Sequence, residues 1–323
     1  MNTREAFTIE EVANWLKTHD DYLIITHRRP DGDAVGSAAA LAQGLRDFGK
    51  TAYVLKNLDI TSRYEPFIRE YWATDEYAWK NIVTVDTASE EMFPPNGAGL
   101  KDSVALGIDH HPSNTYYAHY TCLDANRGAC GEIVFEILMA LGVDIGKKIA
   151  ESLYVAISTD TGCFSYANTT ADSLRIAAFL VEAQASIGDL NKILFRTKTR
   201  SRVKLEGMIY SGIEFYFDGL VAISTLTRKM LEAAAANDDD SDDISSIPGS
   251  IDDVLIGITI REISSERDCR ISVRSSPIVN SAEICSRFGG GGHAMAAGFS
   301  LEEPIDAVKN ALLAILPEFL PKT

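Results

Sequence analysis

Short apolar runs that stop at polar, chemically capable residues set the rhythm of the first half of the chain. Residues 22–26 predict a buried strand, 51–55 a second, 82–85 a third and 104–108 a fourth. Between and after them the apolar spacing changes to that of a helix. It places Leu41, Leu45 and Phe48 on one face of 34–49, Ile133, Val134, Ile137, Leu138 and Leu141 on one face of 129–141, and Leu153, Ala156 and Ile157 in 148–158. Thr8 and Glu11 form a capping box that opens a short helix carrying Val12, Trp15 and Leu16 inward. Strands alternating with helices predict an α/β fold, a mostly parallel sheet with helices on both faces.

The pattern breaks near 185–188. We expect a first domain over 1–185, a partly helical, solvated linker over 186–208 and a smaller mixed α/β domain over 209–323. The linker is basic, with Lys192, Arg196, Lys198, Arg200, Arg202 and Lys204. In the second domain Asp218-Gly219 predicts a hairpin between 214–217 and 220–224. Strands are expected over 254–263 and 270–273, and helices over 281–288 and 304–316. The acidic run 237–243 lacks the Gly and Glu positions of a calcium loop and reads as a solvated loop.

In parallel sheets ligands bind beyond the carboxyl ends of the strands. His27, Asp86 and His110 each follow such an end, so three separate parts of the sequence meet at one edge. Within the first turn, T-H-R-R-P-D-G-D over 26–33, Asp31 and Asp33 stand four and six residues after His27. Pro30 disfavours helix at Arg29, and Gly32 is expected to supply backbone freedom. The same Pro-Asp-Gly-Asp is also good turn chemistry. Asp160 falls at a helix end, where the partial negative charge of the helix C-terminus makes a carboxylate unfavourable without a nearby cation. Together His27, Asp31, Asp33, Asp86, His110 and Asp160 offer four carboxylates and two imidazoles. Such a set suits magnesium or manganese, imidazole favours manganese, and six ligands fit two ions better than one.

Residues 289–292 are four consecutive glycines followed by His293. Ordering glycine is costly, so an ordered loop here points to close backbone approach, with amide groups cradling a phosphate and His293 adding a donor.

Composition narrows the partner. With 30 basic against 46 acidic residues, the net charge of −16 excludes a long groove that neutralises many phosphates. A polyanionic substrate must be short and held by local cations or metal ions. Length, at 323 residues with 46% hydrophobic content, is enough for two ordinary domains. No apolar run reaches membrane-spanning length and the N-terminus lacks a signal-peptide pattern, so we expect no membrane association and a cytoplasmic location. Five widely spaced cysteines without a C-x-x-C pair read as reduced core residues.

These residues resemble the DHH phosphoesterases. H-x-x-P-D-G-D-A-x-G-S at 27–37, the isolated Asp86, D-H-H at 109–111 and T-D-T-G-x-F at 159–164 are similar to the four N-terminal motifs of that family in order and spacing. Val273-Arg274-Ser275 and the 289–293 stretch are similar to the signature of its DHH-associated C-terminal domain, so the resemblance spans nearly the whole chain. It implies one manganese held by His27, Asp31 and Asp86 and a second by Asp33, Asp86, His110 and Asp160, with Asp86 bridging and magnesium as the alternative metal. A hydroxide shared by the ions would attack phosphorus in line. His111 would face the substrate phosphate and Asp109 would orient a ligand histidine. Arg274, Ser275, Gly290, Gly291, Gly292 and His293 would bind substrate. Within the family the chain most resembles the nanoRNases, which cleave very short oligoribonucleotides and remove the 3′-phosphate of 3′-phosphoadenosine 5′-phosphate (pAp). A cyclic di-AMP or linear dinucleotide phosphodiesterase is the alternative, and a nucleotide-binding sensor without catalysis is a third reading. A homodimer is compatible with each.

Overall fold

In the computed structural model, which describes residues 4–237, 239–241 and 243–321, the chain separates into two units, Met1–Thr197 and Lys198–Thr323. The first is built on a six-stranded sheet. Its strands are β1 (Glu5–Ala6), β2 (Tyr22–Ile25), β3 (Ala52–Val54), β4 (Asn81–Val85), β5 (Val104–Asp109) and β6 (Tyr120–Leu123), in the order β1-β6-β5-β4-β2-β3. Every pairing is parallel. The strands read as near-continuous apolar runs because both faces are covered. Tyr22, Ile24, Val83, Val85, Leu106 and Ile108 enter the larger core, while Leu23, Ile25, Ile82 and Val104 pack with Phe93 and Tyr117 on the opposite side.

Helices Gly32–Asp47 and Lys147–Asp160 press together in the larger core, and the residues at their seam are small. A Cβ added at Gly36 would stand 2.4 Å from the Ser152 carbonyl oxygen and 2.6 Å from the Ala156 nitrogen. Both are backbone atoms that cannot swing aside. Gly36→Ala is therefore expected to cost about 1–3 kcal/mol through overpacking, read as a Tm several degrees lower on thermal denaturation. An unchanged Tm would mean that the seam is looser than it is here.

Three elements of this unit have weak sequence signals. Strands β1 and β6 are short, and helix Ala171–Glu182 opens with Thr170 and Ser173 in a capping box whose fourth position is Ser rather than Glu or Gln. The region expected to be a partly helical, solvated linker is helical over Ile187–Asn191 and Arg200–Ser211, with a π-helical turn at Lys192–Arg196, and it is not wholly solvated. Leu190 and Leu194 are buried in the first unit's core, and Leu205 and Ile209 in a cluster of the second.

The second unit carries strands β7 (Glu214–Tyr216), β8 (Val221–Leu226), β9 (Ile256–Glu262), β10 (Cys269–Ser275), β11 (Gly291–His293) and β12 (Ala296–Leu301), ordered β11-β12-β10-β9-β8-β7. Strands β8 and β9 are parallel and the other pairings antiparallel. One face packs Ile223, Ile258, Ile271 and Val273 against Ile284, Val308 and Leu312 of helices Ser281–Ser286 and Ile305–Ile315. The glycine stretch, expected as a loop, departs from that expectation: Gly291–His293 is an edge strand hydrogen-bonded to β12. Glycine supplied freedom for the turn before it, where Gly289 has φ 75°, but did not prevent pairing with a well-formed neighbour. Within the acidic run, Asp238 and Asp242 lie outside the described residues, whereas Asp240 turns inward and accepts from Thr199 Oγ1 and from the Asn237 amide. All five cysteines are free thiols. Among the described residues no helix is long and apolar enough to cross a membrane.

Candidate metal centre

Strand order brings the carboxyl ends of β5, β4 and β2 side by side. His27 lies two residues beyond β2, Asp86 directly follows β4, and His110 and His111 directly follow β5. Asp160 arrives as the last residue of helix Lys147–Asp160. Asp31 caps helix Gly32–Asp47, its Oδ1 accepting from the amides of Asp33 at 3.0 Å and Ala34 at 3.1 Å. Turn chemistry and a place in the cluster thus coexist in one side chain. Gly32 serves a different purpose from the one expected. It is helical, and glycine is needed because a Cβ would stand 2.3 Å from Thr159 Oγ1. The left-handed conformation in this turn falls on Arg29, at φ 52°.

Each histidine is fixed by its Nδ1, which leaves Nε2 facing carboxylates. His27 Nδ1 donates to the Arg28 carbonyl at 2.7 Å, and its Nε2 stands 3.9 Å from Asp31 Oδ1 and 3.6 Å from Asp86 Oδ2. His110 Nδ1 donates to the Arg127 carbonyl at 3.1 Å, and its Nε2 lies 3.7 Å from Asp33 Oδ2 and 3.6 Å from both Asp86 Oδ1 and Asp160 Oδ2. A carbonyl can only accept, so the Nε2 lone pairs are the ones presented to the cluster. Two ligand triads result, His27-Asp31-Asp86 and Asp33-His110-Asp160, with Asp86-His110-His111 a third grouping of close donors. The two oxygens of Asp86 face different triads.

The donor set fits a cation on three further counts. Asp86 Oδ1 is buried without a hydrogen-bond partner, and an orphaned buried carboxylate oxygen is costly unless a positive charge faces it. Asp86 also holds φ 52°, a conformation that asparagine and aspartate tolerate best and that side chains adopt where the surroundings demand it. Finally, the carboxylates crowd each other. Burial, then the charges of Asp86, Asp160 and Asp31, hold the Asp33 carboxyl well above its ordinary range. This happens although Asp33 receives the Cys130 and Gly131 amides at 2.6 and 2.9 Å, at the N-terminus of helix Cys130–Leu141, and the Ser37 hydroxyl at 3.0 Å. Burial likewise pushes Asp160 up to about 6, with Asp31 and Asp86 adding to it against the opposing pull of His110.

Asp109 lies against the ring of His111 rather than that of His110: its Oδ1 accepts from His111 Nδ1 at 2.8 Å and from the amides of His110 and His111, while Oδ2 accepts from Asn114 Nδ2 at 2.6 Å. That hydrogen bond, against the effect of burial, pushes His111 up to about 9. Sequence spacing gave no sign of Asn114, of the Arg127 carbonyl or of the Cys130 and Gly131 amides, which act through backbone atoms or a loop side chain. The Asn57 side chain, donating to the His27 carbonyl at 2.9 Å, carries no sequence signal for the same reason.

The remaining candidates belong to the second unit. There a cavity of about 410 Å³ is lined by Arg274, Gly291 and Gly292 together with Arg270, Ser272 and Gly298. Gly290 is dictated by packing, since a Cβ would stand 2.4 Å from the Gly298 carbonyl oxygen; at Gly291 a Cβ would meet open space. His293 is exposed at the end of β11. Ser275 is occupied internally, donating to the Val279 carbonyl at 2.7 Å and accepting from Ser281 at 2.8 Å.

Residues 21–157 match the N-terminal domain of the DHH family and 221–320 the DHHA1 domain. The bifunctional oligoribonuclease and PAP phosphatase NrnA of Thermus thermophilus is 32% identical over 293 residues, covering 90% of this chain and 87% of that protein. The Bacillus subtilis protein of the same name is 28% identical, covering 90% of this chain and 92% of its own length. Among solved structures, an exopolyphosphatase-related protein from Bacteroides fragilis superposes with a TM-score of 0.84 at 25% identity, over 96% of this chain and 97% of that one.

Proposed function

Because this chain belongs to the DHH family, with a DHHA1 domain following the DHH domain, we propose that it is a manganese-dependent phosphoesterase. Its substrates are very short oligoribonucleotides and the 3′-phosphate of pAp. The observation that carries this reading is the division of Asp86 between two histidine-carboxylate triads at one sheet edge. Relatives that share most of their length with this chain bear the names of that pair of activities.

His27, Asp31 and Asp86 would hold one ion and Asp33, Asp86, His110 and Asp160 the other. The ions, when bound, supply an acidified water and charge neutralisation at phosphorus. The protein's residues do the rest. The carbonyls of Arg28 and Arg127 keep both ligand rings in the metal-ready tautomer. His111, held protonated by Asp109, presents Nε2–H as a donor to a phosphoryl oxygen as negative charge grows there. Water adds to phosphorus, the bond to the 3′-oxygen breaks, and the leaving oxygen takes up the proton that the attacking water gives up, so that it departs as a hydroxyl. Arg274, with its planar fork, and the glycine edge strand bind the substrate's phosphates. The net charge of −16 disfavours long polyanions, which matches a short substrate.

Asp109→Asn keeps the shape but removes the charge that holds His111 protonated. We expect kcat to fall about 10–100-fold with KM little changed. The alkaline limit of the pH-rate profile should also move downward, because the folded pKa of His111 loses its upward push. An unmoved alkaline limb would remove His111 from this role.

The test of the reading is manganese-dependent hydrolysis, side by side, of a 5′-phosphorylated diadenylate, a pentaribonucleotide, pAp and cyclic di-AMP. Turnover of the linear substrates and pAp with little action on the cyclic one supports it. Preference for cyclic di-AMP would replace it with second-messenger hydrolysis, and binding without turnover of any would leave a sensor.

A further inference from the structure

Alternation along β10 places Arg270, Ser272 and Arg274 on one face of the second sheet, opposite the face that buries Ile271 and Val273. Register on β12 sets Ser300 beside Arg270, Gly298 beside Ser272 and Ala296 beside Arg274, and Gly291 pairs with Gly298 one strand further out. Three polar side chains thus face a row of small residues along one continuous cavity. Arg270 is exposed, and among the described residues its guanidinium forms no hydrogen bond or ion pair. Carboxylates outnumber cations by 46 to 30 in this chain, yet among the described residues none pairs with it. Its direct cross-strand neighbour on β9 is another arginine, Arg261.

We propose that Arg270 holds a further phosphate of a bound oligonucleotide, two steps along the strand from the phosphate at Arg274, and thereby favours chains longer than a dinucleotide. Four residues of β-strand separate the two guanidinium stems by about 13 Å. An extended nucleotide chain spans such a distance with one intervening phosphate, and the Ser272 hydroxyl sits midway to meet it. The small residues of β11 and β12 leave room for the sugar-phosphate backbone to lie against the sheet. Nucleotides with only two phosphates on one sugar do not reach from Arg274 to Arg270. The inference rests on the proposed reading of the chain as a short-oligonucleotide phosphoesterase, and assigns it a length preference.

The test is equilibrium binding of 5′-phosphorylated di- and pentanucleotides with uncleavable linkages to the full-length, manganese-loaded protein, followed by fluorescence anisotropy. In Arg270→Gln the ratio of pentanucleotide to dinucleotide affinity should fall about tenfold, the loss of one charge-assisted pair. Arg270→Lys, which keeps the charge, should restore most of it. A ratio unchanged in Arg270→Gln, or wild-type protein that binds both lengths equally, overturns the proposal. Failure of the underlying reading is seen separately, as wild-type protein that binds these strands but does not turn over their cleavable counterparts.

Discussion

Asp86→Asn should lower kcat/KM for every phosphoester substrate by at least ~10³-fold, about 4 kcal/mol of transition-state stabilisation. Asparagine is the informative replacement. It accepts the left-handed backbone of φ 52° that alanine would strain, and it fills the same volume between His27 and His110. What it removes is the charge shared by two triads, so both of the proposed ions would lose a ligand at once. Loss of any other single ligand damages one triad only and is expected to cost less. The metal-free variant should be no less stable than wild type, since one of the carboxylates repelling Asp33 and Asp160 has gone. Folded Asp86→Asn protein with near-normal turnover would show that the division of Asp86 between triads has no catalytic meaning.

Manganese should raise Tm and a chelator should lower it. Stabilisation by a ligand that binds only the folded state is about 2.7 kcal/mol at a hundred times its Kd, which corresponds to several degrees for a chain of this size. The effect should grow with pH. Asp160 titrates near 6, above its ordinary value, so its contribution to metal-free stability declines as pH rises toward 6. His111, raised to about 9, contributes fully below its ordinary value of 6.5 and loses that contribution as pH rises through 9. Both groups therefore weaken the metal-free protein on going from acid to alkaline conditions. The cation needs its ligands deprotonated and binds better over the same interval. The manganese-induced rise in Tm should accordingly be larger at about pH 8 than at about pH 6. A rise that is equal at both, or absent, would contradict a site made of these carboxylates.

The sequence carried most of what positions this centre because parallel strands announce themselves twice. Their apolar runs are nearly unbroken, and the residue that follows each run stands at the ligand-binding edge. Asp86 and His110 were legible for that reason, and His27, Asp31 and Asp33 by their spacing around Pro30. Spacing could not reveal that Gly32 is required by Thr159, which is distant in sequence and adjacent only once two helices pack. Nor could it reveal which carbonyl holds each histidine, because backbone acceptors carry no residue signature. The glycine stretch misled in an instructive way. Gly291 and Gly292 lower the stability of a strand, but an edge strand needs only one good neighbour, and β12 provides it. The helix at Ala171–Glu182 carries a faint sequence signal because its box closes on Ser173, a residue that does the same hydrogen bonding as glutamate from a shorter side chain.

Asp86 is proposed to be shared by two ions. The most direct test of that sharing is calorimetric titration of metal-free protein with manganese, run for wild type and Asp86→Asn. Two ions per chain in wild type, with both sites weakened together by the single substitution, is the result the structure predicts. One ion, or two whose affinities are unaffected by Asp86→Asn, would contradict it.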